Sequence, residues 1–343
     1  MIADTQVDDS VPLLVAIVNY RTADLTIQCL RSLVSEVPTL PGMQVVVVDN
    51  ASGDGSVEKI AHVIATEGWG SWAALLPSAI NGGFAYGNNM AIRPVLQSAN
   101  PPPYFMLLNP DTEVRPHALK TMIDFMEEHP DVGIVGSGIE EANGILWPFT
   151  FRFPSLFSEL DNALRLGIVS QLLAKWVIAQ EMTNEAQSVD WLPGASMMIR
   201  REVFAAVGLM DEAYFLYYEE TDFCLQAKRA GWSCWYLPQS RVMHISGQST
   251  GVTGNHSLPK RQPKYLFDSR RRYFVKNHGW LYAALCDSIW LHGFAAWRIR
   301  RLIQRKPDLD PPYLLLDFCQ NSIFWLPVMK FLALWNSESR VQL

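Results

Sequence analysis

Three apolar runs of the chain stop on polar or acidic side chains. Residues 14–18 lead into Asn19-Tyr20, residues 45–48 into Asp49-Asn50, and residues 104–108 into Asn109-Pro110-Asp111-Thr112. A fourth place, Tyr217-Tyr218-Glu219-Glu220-Thr221-Asp222, crowds three carboxylates into four residues. One Asp after a strand is an ordinary solvated turn residue. Several at the carboxyl ends of strands in one open α/β sheet line the crevice where such sheets hold ligands. This set suits a charged, hydroxyl-rich ligand. Adjacent carboxylates also repel one another, which lifts a pKa toward the working range of a general base. The preference of a helix N-terminus for acids explains part of the same cluster.

The elements that must position these groups follow from the apolar pattern. Residues 12–150 alternate strand and helix: strand 13–19, an amphipathic helix 22–34 with Leu25, Cys29, Leu30 and Leu33 on one face, strand 43–48, and a helix 56–66 after Ser52-Gly53-Asp54-Gly55. A helix near 84–98 opens at Asn81-Gly82-Gly83, and strand 104–108 is followed by Pro116 and a helix to about residue 128. Such alternation predicts a Rossmann-like, mainly parallel central sheet with helices on both faces. Residues 154–187 read as a helical insertion without chemistry. Beyond it come a strand region 190–200 entered through Pro193-Gly194, a helix 219–230 stopped by Gly231, and strands 233–237 and 241–245.

Composition divides the chain. Among 343 residues, 49% are apolar and the net charge is −6, yet residues 260–306 carry twelve Lys/Arg against only Asp268 and Asp287. A segment of +10 on a body of −16 points to an anionic partner. Trp280, Trp290 and Trp297 in the same segment argue against nucleic acid. The apolar stretches 279–300 and 313–335 are interrupted, the first by Asp287, Ser288 and His292, the second by Asp317, Gln320 and Asn321. Neither is a clean span of about 20 apolar residues, so amphipathic helices lying on a membrane are expected. A helical pair packed on the rest of the chain or on a second copy, making a homo-oligomer, is the alternative. The boundary falls at residues 258/259, giving an α/β domain over 1–258 and a helical appendage over 259–343. Five scattered cysteines without a CxxC pair fit reduced, cytoplasmic thiols. The acidic first ten residues lack the apolar core of a signal peptide.

Five motifs in order carry a resemblance: Val47-Val48-Asp49-Asn50-Ala51-Ser52-Gly53-Asp54-Gly55-Ser56, Asn81-Gly82-Gly83-Phe84-Ala85-Tyr86-Gly87-Asn88-Asn89, Leu108-Asn109-Pro110-Asp111-Thr112, Pro193-Gly194-Ala195-Ser196-Met197-Met198-Ile199-Arg200-Arg201 and Tyr218-Glu219-Glu220-Thr221-Asp222-Phe223-Cys224-Leu225. Together they resemble the family 2 glycosyltransferases of the GT-A fold, in particular the rhamnosyltransferase-like branch, over roughly residues 11–250.

The resemblance implies a nucleotide-sugar site. Asp111 takes the last position of the family's metal motif and would hold Mg²⁺ or Mn²⁺. Asn109 replaces its first acid, leaving one negative charge fewer. His244, which precedes Ser246-Gly247, stands where several members place a second metal ligand. Asp49 would accept from a pyrimidine edge, with Asn19 on the base or ribose. Asn81, Gly82 and Gly83 offer backbone and a helix N-terminus to a diphosphate. By register Glu220 is the base beside Glu219. Asp222 serves acceptor hydroxyls, with Gly194 and Trp191 on the acceptor side and Trp191 a stacking platform or a core residue. The expected reaction is inverting transfer of a sugar, L-rhamnose from dTDP-L-rhamnose in the first reading, to a glycan or lipid-linked acceptor at the inner face of the cell membrane. A UDP-hexose transferase on the same scaffold and a non-catalytic carbohydrate-binding subunit are the alternatives. The chain has no G-x-x-x-x-G-K-[ST] and no G-x-G-x-x-G after its first strand, which argues against a P-loop hydrolase and a dinucleotide dehydrogenase.

Overall fold

The computed structural model describes residues 12–141, 143–147, 150–245 and 259–325. The expectations for the first ten residues, Ser246-Gly247 and residues 326–335 lie outside the described residues. The chain divides into two compact units. The first contains the described residues up to Phe151, together with Ala179–Phe215 and the stretch from Glu219 to the end of the sheet; the second contains Arg152–Ile178, Leu216–Tyr218 and the helices from residue 259 onward.

The first unit is built on a nine-stranded sheet. Its strands are β1 (Leu13–Asn19), β2 (Gln44–Asp49), β3 (Ala73–Pro77), β4 (Tyr104–Leu108), β5 (Thr112–Val114), β6 (Val132–Glu140), β7 (Gln187–Val189), β8 (Ser196–Arg200) and β9 (Ser233–His244). The order is β3-β2-β1-β4-β8-β6-β9-β5, with β7 beside β9. The first four strands are mutually parallel. Largely buried on both faces, β1, β2 and β4 read as continuous apolar runs such as Val45-Val46-Val47-Val48, whereas β3 at the edge is partly exposed. The helices α1 (Ala23–Leu33), α2 (Ser56–Thr66), α3 (Phe84–Leu96), α4 (Ala118–Glu128), α7 (Arg201–Val207) and α8 (Glu219–Arg229) cover this sheet. Ile27, Leu30 and Leu33 of α1 enter the same apolar core as Val15, Val45 and Tyr104.

Two differences from the sequence reading have physical causes. The strands expected at 233–237 and 241–245 are one strand, β9, whose register against β6 shifts between the pairs Ser137–Leu237 and Gly138–Arg241. Pro238 has no N–H for the ladder, so pairing breaks there and resumes. Strand β6 itself was hidden by Gly133, Gly136 and Gly138. Each glycine is needed for packing: a Cβ on Gly136 would come within 2.9 Å of the Leu192 side chain, and one on Gly138 within 3.1 Å of Leu146 and of the Pro238 backbone.

The second unit comprises α5 (Leu156–Leu164), α6 (Gly167–Leu172), α9 (Lys264–His278), α10 (Trp280–Ile303) and α11 (Leu314–Asn321). The helices α5 and α10 approach closely at Gly293, where a Cβ would meet that of Ala163 at 2.9 Å. Between them and α9 lies a buried ionic cluster. Arg270 donates to Glu159 Oε2 at 2.6 Å and to Asp287, and Asp287 Oδ2 also accepts from the Ile323 N–H at 2.7 Å. Burial opposes the Arg270 charge, but the two carboxylates outweigh it and hold the guanidinium above its ordinary range. Other cations of the basic segment also close on the unit itself: Arg261 on Asp317, Arg271 on Asp268, and Arg298 and Arg301 on Asp308. Among the described residues no helix is long and apolar enough to cross a membrane.

Candidate active site

The parallel register lines up the ends of β1, β2 and β4, with Asn19 opposite Asp49 and Ile17 opposite Leu108. Asp49 is buried, and its carboxylate accepts from Asn19 Nδ2 at 2.7 Å, Ser52 Oγ at 2.6 Å and Ser52 N at 3.0 Å. Asn19 is fully buried. Its Oδ1 accepts from the Thr22 N–H and hydroxyl and the Thr26 hydroxyl, while its Nδ2 also reaches Ser52 Oγ. Both ends of that amide are thus engaged by protein, and its visible work is to orient Asp49.

Asn50, the next residue, builds the glycine loop. Its Nδ2 donates to Asn81 Oδ1 and to the Gly83 carbonyl, both at 3.0 Å, and its Oδ1 accepts from the Gly82 N–H at 3.2 Å. Gly83 has φ +89°, and a Cβ there would lie 1.9 Å from the Phe215 carbonyl oxygen. That oxygen instead accepts from the Phe84 N–H at 2.9 Å, at the start of α3. One turn later Asn89 Nδ2 donates to the Met210 carbonyl and to Glu212, which also pairs with Arg93. Two lines of hydrogen bonds therefore clasp the loop and α3 to residues 210–215.

From Phe84 the site continues to the acids. The Phe84 ring occupies the space above Gly194, where a Cβ would meet it at 2.7 Å. The Gly194 N–H and the Glu220 N–H donate to the Glu220 carboxylate, which is also hydrogen-bonded to Glu219. Burial is the largest influence on Glu220 and pushes its carboxyl above the ordinary range, against those hydrogen bonds. Glu220 is half-buried as a residue, but its Oε2 is shut from solvent with no hydrogen-bond partner among the described residues. Glu219 and Asp222 are buried in the same first turn of α8, where Asp222 Oδ1 accepts from Gln226 at 3.3 Å. Trp191 stacks on Phe151 with centroids 4.7 Å apart, so one ring face is covered by protein.

On the other side of Gly194, the Ala195 carbonyl accepts from the Asn109 N–H at 3.0 Å. Asp111 and His244, far apart in sequence, are joined by the short pairing of β5 with β9, in which Thr112 faces His244 and the Ile245 N–H donates to the Asp111 carbonyl at 3.0 Å. As a result Asp111 Oδ1 lies 3.2 Å from His244 Nε2, and Asn109 Nδ2 is 3.5 Å from the same nitrogen. By itself such a contact is a carboxylate–imidazole hydrogen bond. It also fits a cation, because two ligands about 2.1 Å from one ion in neighbouring octahedral positions stand about 3 Å apart. A carboxylate with an imidazole is a donor set that divalent metals accept. Among the described residues no group of three or more His, Cys, Asp or Glu converges.

All five motifs thus meet in one unbroken line of contacts. The family model for glycosyl transferase family 2 matches residues 14–206, more than half of the chain. The chain belongs to that family. It is 27% identical over 273 residues to an N-acetylglucosaminyl-diphospho-decaprenol L-rhamnosyltransferase of Mycobacterium tuberculosis, covering 74% of this chain and 80% of the relative. It is 28% identical over 196 residues to the rhamnosyltransferase WbbL of Escherichia coli, covering 57% and 70%. Among solved structures it is similar to GalNAc-T7 crystallised with UDP, GalNAc and Mn²⁺, at a TM-score of 0.58 and 17% identity, over 85% of this chain and 55% of that one. The fold is GT-A, and the chain is a glycosyltransferase similar to proteins named rhamnosyltransferases.

Sequence reasoning gave Ser52 and Phe84 no part in the site. An aromatic directly after Gly-Gly was the signal present for Phe84.

Proposed function

We propose that this family 2 glycosyltransferase transfers L-rhamnose from dTDP-L-rhamnose to a hydroxyl of a lipid-linked glycan, with inversion at the anomeric carbon. The observation that carries the reading is the Asp111–His244 pair at 3.2 Å beside Asn109, at the strand-end edge that also holds Asp49. Asp49 keeps carboxylate acceptor capacity for the N–H of a pyrimidine edge. The loop of Asn81, Gly82 and Gly83 opens α3 and offers main-chain N–H groups to a diphosphate. Asp111 and His244 would hold Mg²⁺ or Mn²⁺, whose charge neutralises a departing diphosphate. Glu220, hydrogen-bonded to Gly194, takes the proton of the attacking hydroxyl, and Asp222 orients the acceptor. L-Rhamnose is favoured because one relative is named for L-rhamnose and another for rhamnose, and a lipid-linked acceptor because the first of them is named for a diphospho-decaprenol sugar. Such an acceptor places the enzyme at the inner face of the cell membrane.

Asp111→Ala tests the reading. Titration calorimetry with dTDP-L-rhamnose should show cation-dependent binding in the parent and none in the variant. His244→Ala should weaken the same binding less. Unchanged donor affinity in Asp111→Ala with Mg²⁺ and Mn²⁺ would remove Asp111 as a ligand.

A further inference from the structure

The helix α10 has 24 residues, so its axis runs about 36 Å. One face is buried through Ala283, Ala284, Cys286, Asp287, Gly293 and Phe294. The opposite face shows Leu281, Leu285, Ile299, Leu302 and Ile303 to solvent, with Leu281 70% and Leu302 68% exposed. They fall on one side of the helix as two apolar patches, Leu281 with Leu285 and Ile299 with Leu302 and Ile303, joined by Ser288 and His292. Trp280, also exposed, stands at the helix start, and Arg305 and Lys306 lie just past its end. Two outward apolar patches on one side of the same helix call for an occupant.

Charge decides which one. The described residues of the second unit hold fifteen Lys/Arg against seven Asp/Glu. Each of the seven acids is already engaged within the unit: Glu159 and Asp287 by Arg270, Asp161 by Ser170, Asp268 by Lys264 and Arg271, Asp308 by Arg298 and Arg301, Asp310 by Arg165, and Asp317 by Arg261. The described residues of the unit thus carry a net charge of +8. A second copy would bring a like-charged surface against it, whereas an anionic lipid surface supplies the missing charge and a medium for the patches.

We infer that the outer side of α10 is an in-plane membrane-docking face. Its aliphatic residues enter the boundary between headgroups and acyl chains, Trp280 lies at headgroup level, and Arg305 and Lys306 past the helix end face anionic headgroups. This deepens the reading of a lipid-linked acceptor, but its test uses no sugar and no transfer, so the two fail separately.

The full-length protein is floated with vesicles of phosphatidylcholine alone or with roughly a third phosphatidylglycerol. Binding should be at least about ten-fold tighter to the anionic vesicles and should fall as salt rises from about 0.1 to about 1 M, where the screening length drops from about 10 to about 3 Å. Leu281→Glu with Leu302→Glu should abolish flotation while the thermal midpoint and the donor affinity stay parental, because both side chains already face water. Vesicle binding that the double variant retains would overturn the assignment of the face. Equal binding to neutral and anionic vesicles would overturn the charge argument. No flotation, together with a dimer in sedimentation that the double variant splits, would give the patches to a second copy.

Discussion

Glu220→Gln should lower turnover by about 10²- to 10⁴-fold, the range for loss of a general base, with donor affinity largely kept. The amide can still accept from the Gly194 N–H and donate toward Glu219, so the local hydrogen bonds survive. Because burial raises the Glu220 pKa, parent activity should climb with pH through a value above the ordinary carboxylate range. The residual activity of the variant should lack that limb. Stability gives a second readout. In the window between the ordinary and the raised pKa, the folded state binds the proton more tightly than the unfolded chain. Parent stability therefore falls as pH rises across this window and stays reduced above it. The variant has no such proton, so it should melt higher than the parent near neutral pH, and the difference should close below the ordinary carboxylate range. If Asp222→Asn is inactive and Glu220→Gln is active, the base is Asp222.

Arg270→Leu should destabilise the second unit by about 3–5 kcal/mol, the usual result of removing one side of a buried ion pair. Glu159 and Asp287 would be left facing each other with no guanidinium between them. Denaturant unfolding of the full chain measures the loss. Combining Arg270→Leu with Glu159→Gln and Asp287→Asn should restore much of the loss, since no uncompensated charge remains. A change below about 1 kcal/mol would mean that water relaxes the cluster.

Three of the four parallel strands were legible because their apolar runs are unbroken, at residues 13–19, 44–49 and 104–108, whereas β3, a partly exposed edge strand, was not. Strands β5 and β7 were not legible: three residues carry no periodicity, and their pairing with β9 depends on partners far along the chain. The same pairing brings His244 to Asp111, so no local signal in the sequence could have joined them; the family pattern pointed to the position alone. Asn19 shows the opposite limit. Its residue type and its place at a strand end suit a ligand contact, yet Thr22, Thr26 and Ser52 surround it and take up its amide. Type and spacing pointed to a site and to one edge of the sheet. Which polar groups face the ligand and which hold their neighbours is decided by side chains from other turns.

The clasp between the glycine loop and residues 210–215 has a kinetic consequence. No side chain fits between Gly83 and the Phe215 carbonyl, and Glu219 and Glu220 follow Phe215 by four and five residues in the chain. A loop that closes on a sugar nucleotide would carry residues 210–215 with it, and the acceptor would meet a finished surface only after the donor has arrived. The enzyme should add its substrates in compulsory order, donor first. Initial-rate patterns with a dead-end acceptor analogue should show that inhibitor as uncompetitive against the donor, whereas random addition would mean that the clasp opens on one side without the other.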